Sequence, residues 1–183
     1  MLVYTDALLT LAEVSATFAG FAALVTLFAR RRLEGGAAHD LLRLRLVIGV
    51  SIAAVMGALI PVAIAGYGLT ETTTWKLSSA VFLVLIYFVI GSFVASYSSV
   101  RGSFPPDKLA VTVALVLEVF IQASLISVLF GHSEERSYGL YICALIGTIG
   151  QAAFVFLRLI SSTFSTTAYK TDLTSTTNRL GSL

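Results

Sequence analysis

Two glutamates stand in stretches that are otherwise oily. Glu13 interrupts LAEVSATFAGFAALVTLFARRR, and Glu118 interrupts VALVLEVFIQASLISVLF. A carboxylate inside an apolar helix supports two kinds of chemistry. It can exchange a proton or replace part of a cation's hydration shell, or it can lock helices together through hydrogen bonds. Its neighbours matter. Gln122 lies one turn from Glu118 on the same helical face, and a carboxamide can donate to a carboxylate or accept from its protonated form. Thr148 and Gln151 fall near the middle of the last apolar run, where Gly147 leaves room beside them. Glu118, Gln122, Thr148 and Gln151 are therefore predicted to form a polar layer. Glu13 and Thr17, on one face of the first run, are predicted to extend it toward the outer mouth. Tyr87 offers another hydroxyl, and the acids have no obligatory basic partner within the spans. They must be protonated, hydrated, shared between subunits or neutralised by a monovalent cation.

These groups need a membrane to give them meaning, and the composition supplies it. The 183 residues are 57% hydrophobic and 12% charged, about half the charge of a soluble globule. Five apolar runs, at about 7–30, 44–68, 76–98, 109–131 and 138–160, each reach the roughly 20 residues that cross a bilayer as a helix. They are continuous and too long for barrel strands, and helices satisfy their own backbone groups in lipid. The fold class is an all-α polytopic membrane protein, a bundle of five transmembrane helices. The first run has Asp6 and no basic residue before it, which reads as a retained helix and not a cleaved leader.

Ten basic residues, Arg30, Arg31, Arg32, Arg43, Arg45, Arg101, Lys108, Arg158, Lys170 and Arg179, would share one side of the bilayer, against Lys76 and Arg136 on the other. Basic loops stay cytoplasmic, so the expectation is N-terminus outside, C-terminus inside, in a cell inner membrane. Arg43 and Arg45 can snorkel to headgroups, and an anionic-lipid site there is an open alternative to simple topology control. Gly35-Gly36 and Pro105-Pro106 mark breaks. Residues 161–183 hold twelve Ser or Thr and few large apolar groups, which reads as a flexible cytoplasmic tail separate from the 1–160 bundle.

Small residues predict where helices meet. Gly49, Ala53 and Gly57 form a stripe at four-residue spacing, and Ala12, Ala16, Gly20, Gly91 and Ala95 are further candidates. Pro61 removes a backbone donor and should kink the second helix, leaving the carbonyl near Gly57 for an ion or a neighbouring hydroxyl.

Other classes find little support. ALIGTIGQAAF lacks a phosphate cradle, His39 and His132 fall in loops on opposite sides, and Cys143 is the single cysteine, so no cofactor, metal site or nucleic-acid partner is expected. No catalytic constellation is visible near the headgroups. The residues point to a small oligomeric cation or proton channel or transporter in the lipid bilayer. The alternative is a non-catalytic scaffold or assembly protein whose polar groups fix helix packing.

Overall fold

A computed structural model of the chain describes residues 4–30, 37–98, 108–131 and 136–180. Five helices follow in order: α1 (Thr5–Arg30), α2 (Ala37–Ala65), α3 (Glu71–Ser98), α4 (Lys108–Leu129) and α5 (Ser137–Leu180). Each contains a stretch long and apolar enough to cross a membrane: Thr5–Val25, Leu42–Ala65, Glu71–Ser96, Val111–Leu129 and Ser137–Arg158. The protein is a polytopic membrane bundle, and its exterior fits that solvent. Phe88, Phe130 and Val84 are exposed on its outside, where lipid and not water would meet them. Arg31, Arg32, Gly35-Gly36, Arg101, Pro105-Pro106 and His132 lie outside the described residues.

Local chemistry sets the ends. Thr70 caps α3, its Oγ1 accepting the Thr73 N–H at 3.3 Å, which satisfies one of the donors that a helix start leaves unpaired. Gly131 follows α4 with a φ of 71°, the left-handed conformation that closes helices and that glycine adopts without penalty. In α5 the backbone continues as helix to Leu180, past the point where the sequence placed the start of a flexible tail. No Gly or Pro occurs between Gln151 and Leu180. Ser and Thr weaken a helix only slightly per residue, whereas Gly and above all Pro break it.

The helices form a closed circuit in which each packs on the next and α5 returns to α1. A direct α2–α5 contact braces it across the middle. That brace separates α1, which packs chiefly on α2 and α5, from the α3–α4 side. The main core gathers Leu8, Trp75, Phe82, Ile121, Leu125 and Tyr141, all essentially inaccessible. An aromatic cluster ties together the N-terminal ends of α1, α3 and α5, with Tyr4 just before α1. Tyr4 stacks on Tyr138 with centroids 3.7 Å apart, and Trp75 lies 5.6 Å from Tyr138 and 5.4 Å from Tyr141.

Candidate functional site

The i,i+4 spacing on α4 produces the first contact of the site. Gln122 Nε2 donates to Glu118 Oε1 at 2.8 Å. From α5, Gln151 Nε2 reaches Glu118 Oε2 at 3.4 Å. From α3, the Tyr87 hydroxyl donates to Gln122 Oε1 at 3.1 Å. The chain of dipoles runs Tyr87 to Gln122 to Glu118, with Gln151 closing from the other side. All the donors point toward the carboxylate, so in this arrangement Glu118 is acceptor only and both oxygens are served. Rotating either carboxamide by half a turn presents an oxygen instead, which is what a protonated Glu118 needs. A single side-chain flip is enough to turn one donor at the carboxyl group into an acceptor.

Thr148 joins the layer in position more than in bonding. Its side chain is buried, but the hydroxyl proton goes to the Ala144 carbonyl at 2.8 Å. Thr148, Gln151 and Glu118 all line a small cavity of about 30 Å³, enough space for a water molecule. A larger cleft of about 130 Å³ lies between α2 and α3, with Arg45 and Ser96 at one end. Leu46 and Val89 line both spaces. The Glu118 cavity and the cleft therefore adjoin at these two apolar side chains.

Above this layer, Pro61 and a tyrosine solve one problem between them. Proline has no N–H, so the Gly57 carbonyl, four residues earlier, loses its helical donor. The Tyr141 hydroxyl donates to that carbonyl from α5. Both side chains are fully buried, so no water replaces the bond. The small-residue stripe faces α3. A Cβ at Gly57 would stand 2.7 Å from Phe82 Cε2, and one at Gly49 would meet Val89 Cγ1 at 3.4 Å. Ala53 is buried on the same helix. Gly147 gives α4 similar access: a Cβ there would meet Ile121 Cγ1 at 2.9 Å. Gly20 and Gly91, in contrast, face open space.

The structure does not bring Glu13 and Thr17 to the layer. Both are exposed on α1, across the α2–α5 brace from Glu118. Thr17 donates to the Glu13 backbone carbonyl at 2.8 Å, and the Glu13 carboxylate meets no donor among the described residues. Tyr4 pairs with Tyr138, and Phe18 with Phe156 at 6.5 Å. Interpolating between these contacts sets Glu13 level with the turn of α5 that carries Thr148 and Gln151. The two acids lie at a similar level along the helices on opposite sides of the bundle.

Tyr141 was not legible as a member of a site, whereas Arg45 was named with Arg43 for headgroup contact but without its Ser96 partner. The proline rule identifies the carbonyl that needs a donor, but not the helix that supplies it. Among the described residues, no group of three or more His, Cys, Asp or Glu could hold a metal, and Cys143 is exposed on α5. Three comparisons, with family models, curated proteins and solved structures, returned no match to the chain.

Proposed function

We propose that this membrane protein moves protons, or a small monovalent cation, by way of Glu118. The observation that carries the reading is a mid-span carboxylate held between carboxamides from two helices and lining a cavity. A proton suits the donor set better than a metal cation. Two N–H groups converge on the carboxylate, whereas a dehydrated cation needs converging oxygens. Exchange of the proton would proceed through carboxamide rotation and a water in the cavity, with Leu46 and Val89 where the cavity adjoins the cleft. The reading includes the inner membrane, the N-terminus outside, the C-terminus inside and a homo-oligomeric, non-enzymatic assembly.

The test uses purified protein in liposomes, with proton, potassium and sodium flux measured separately across imposed voltage and pH gradients. Glu118→Gln keeps the shape and removes the titration. Flux in the wild type and its loss in folded Glu118→Gln would support the reading. Absence of flux under every gradient would refute it. Orientation is tested by labelling single cysteines at Thr5 and Lys170 from either face in a Cys143→Ser background.

One observation favours the scaffold reading. The same bonds join α3, α4 and α5 into one unit, as an assembly protein would need. On that reading Glu118→Gln lowers thermal stability or detergent-resistant mass, while the wild type carries no current.

A further inference from the structure

We propose that the cleft between α2 and α3 binds one anionic phospholipid, its phosphate on Arg45 and part of an acyl chain against Leu46, Phe88, Val89 and Phe93. The cleft has the shape and chemistry for such a ligand. Its walls are aliphatic and aromatic, and its volume is about 130 Å³. An apolar cavity of roughly 150 Å³ accepts a benzene-sized group, so the cleft takes several carbons of a chain whose remainder lies along the bundle. Gly49, where a side chain would approach Val89, helps keep the cleft open.

The polar end lies where a headgroup would be. Arg45 is three residues inside the Leu42–Ala65 span, about 4.5 Å from its end along the helix axis. A guanidinium reaches the phosphate layer from there by snorkelling. Arg45 Nη1 lies 3.4 Å from Ser96 Oγ, and Ser96 in turn donates its proton to the Ser92 carbonyl at 2.9 Å. Ser96 is therefore an acceptor that holds Arg45 across the cleft, and it has no proton left for a ligand. One of the five guanidinium N–H groups is used this way. The remaining fork matches two oxygens of a phosphate. Phosphate recognition is the shared chemistry of a lipid and a free anion; the apolar walls assign the lipid. A seated tail would touch Leu46 and Val89, the side chains that also wall the Glu118 cavity. Binding itself does not depend on what Glu118 does.

The experiment is native mass spectrometry of the full chain in micelles titrated with phosphatidylglycerol, phosphatidylcholine or inorganic phosphate. Wild type should retain a single phosphatidylglycerol with about fivefold preference over phosphatidylcholine, the contribution of one basic side chain near anionic lipid. Arg45→Gln should abolish the preference. Ser92→Leu, which fills the cleft and leaves Arg45 in place, should lose the retained lipid. Lys108→Gln, an exposed charge at the start of α4, should change neither. The proposal fails if Lys108→Gln matches Arg45→Gln, or if Ser92→Leu still holds the lipid, since either result means diffuse surface charge. It also fails if millimolar inorganic phosphate displaces the lipid, since the site would then be one for a free anion. Should Arg45→Gln not fold, Arg45→Lys keeps the charge without the fork, and a preference equal to wild type would remove the bidentate assignment.

Discussion

Tyr141→Phe is the most informative single change to the bundle. It deletes one oxygen and leaves the ring among Trp75 and Phe82, 5.4 and 5.9 Å away between centroids. What is lost is the donor to the Gly57 carbonyl. Interhelical hydrogen bonds in membrane proteins average about 0.6 kcal/mol and reach about 1.7. This one belongs at the upper end, because Pro61 denies the carbonyl its usual partner, and an unsatisfied buried acceptor costs about 1–3 kcal/mol. A loss of about 1.5 kcal/mol is expected. Pro61→Ala restores an N–H at the position that faces the Gly57 carbonyl. That substitution also removes buried volume, so its own effect is uninformative. The double mutant isolates the hydroxyl: in the Pro61→Ala background, Tyr141→Phe should cost about 1 kcal/mol less. Equilibrium unfolding in mixed micelles, following the near-ultraviolet signal of Trp75, measures all four proteins. A coupling energy below about 0.4 kcal/mol would refute the argument that the tyrosine replaces the donor the proline removes.

Gly57→Ala should destabilise by about 1–2 kcal/mol, because three atoms of the buried Phe82 ring lie within 3.0 Å of the new methyl and overpacking outweighs the helix-propensity gain. Gly20→Ala and Gly91→Ala, with open space at both, should be neutral or stabilising in the same unfolding assay, and equal losses at all three would remove the packing argument. Ser51, Ser78 and Ser79 have buried hydroxyls without a partner among the described residues. Replacing Ser79 by Ala should therefore stay within about 0.5 kcal/mol of wild type or stabilise; a larger loss would mean the hydroxyl turns to a carbonyl on its own helix. Gln151→Leu removes the α5 donor to Glu118 and should lower the α4–α5 interaction by about 0.6–1.7 kcal/mol, read as a lower thermal midpoint that Glu118→Leu in the same chain largely reverses.

How far the sequence reached depends on the range of the interaction. The five spans follow from apolar length, and their ends shift where a cap or glycine decides, as at Thr70 and Gly131. Glu118 and Gln122 were readable as a pair because helix geometry alone joins residues four apart. Gln151 was readable as a polar group of similar depth, but its contact with Glu118 requires the α4–α5 packing that Gly147 permits. The Gly57 carbonyl was predicted to need a partner; that Tyr141 supplies it depends on two helices meeting at one level. Helix α5 beyond residue 160 shows a different limit. Low apolar content argues against a core, yet it does not by itself break a helix.

Glu13 leaves one question that isolated helix packing cannot answer. It lies at a similar level to Glu118 along the helices but faces outward, and an ionised carboxylate turned to hydrocarbon is costly. Two carboxyls meeting across a twofold axis can share a proton and remove that cost. The face around Glu13 permits such an approach, since Ala16 is exposed and Gly20 has open space beside it. On the homo-oligomeric reading, Glu13→Gln retains hydrogen bonding across the interface and should keep the assembly. Glu13→Leu cannot form that bond and should weaken association by about three- to twentyfold, the range set by one membrane hydrogen bond. Sedimentation or mass photometry over a dilution series in a fixed detergent measures both. If Glu13→Leu leaves the mass unchanged and raises the thermal midpoint, Glu13 faces lipid and the subunits do not meet on this face.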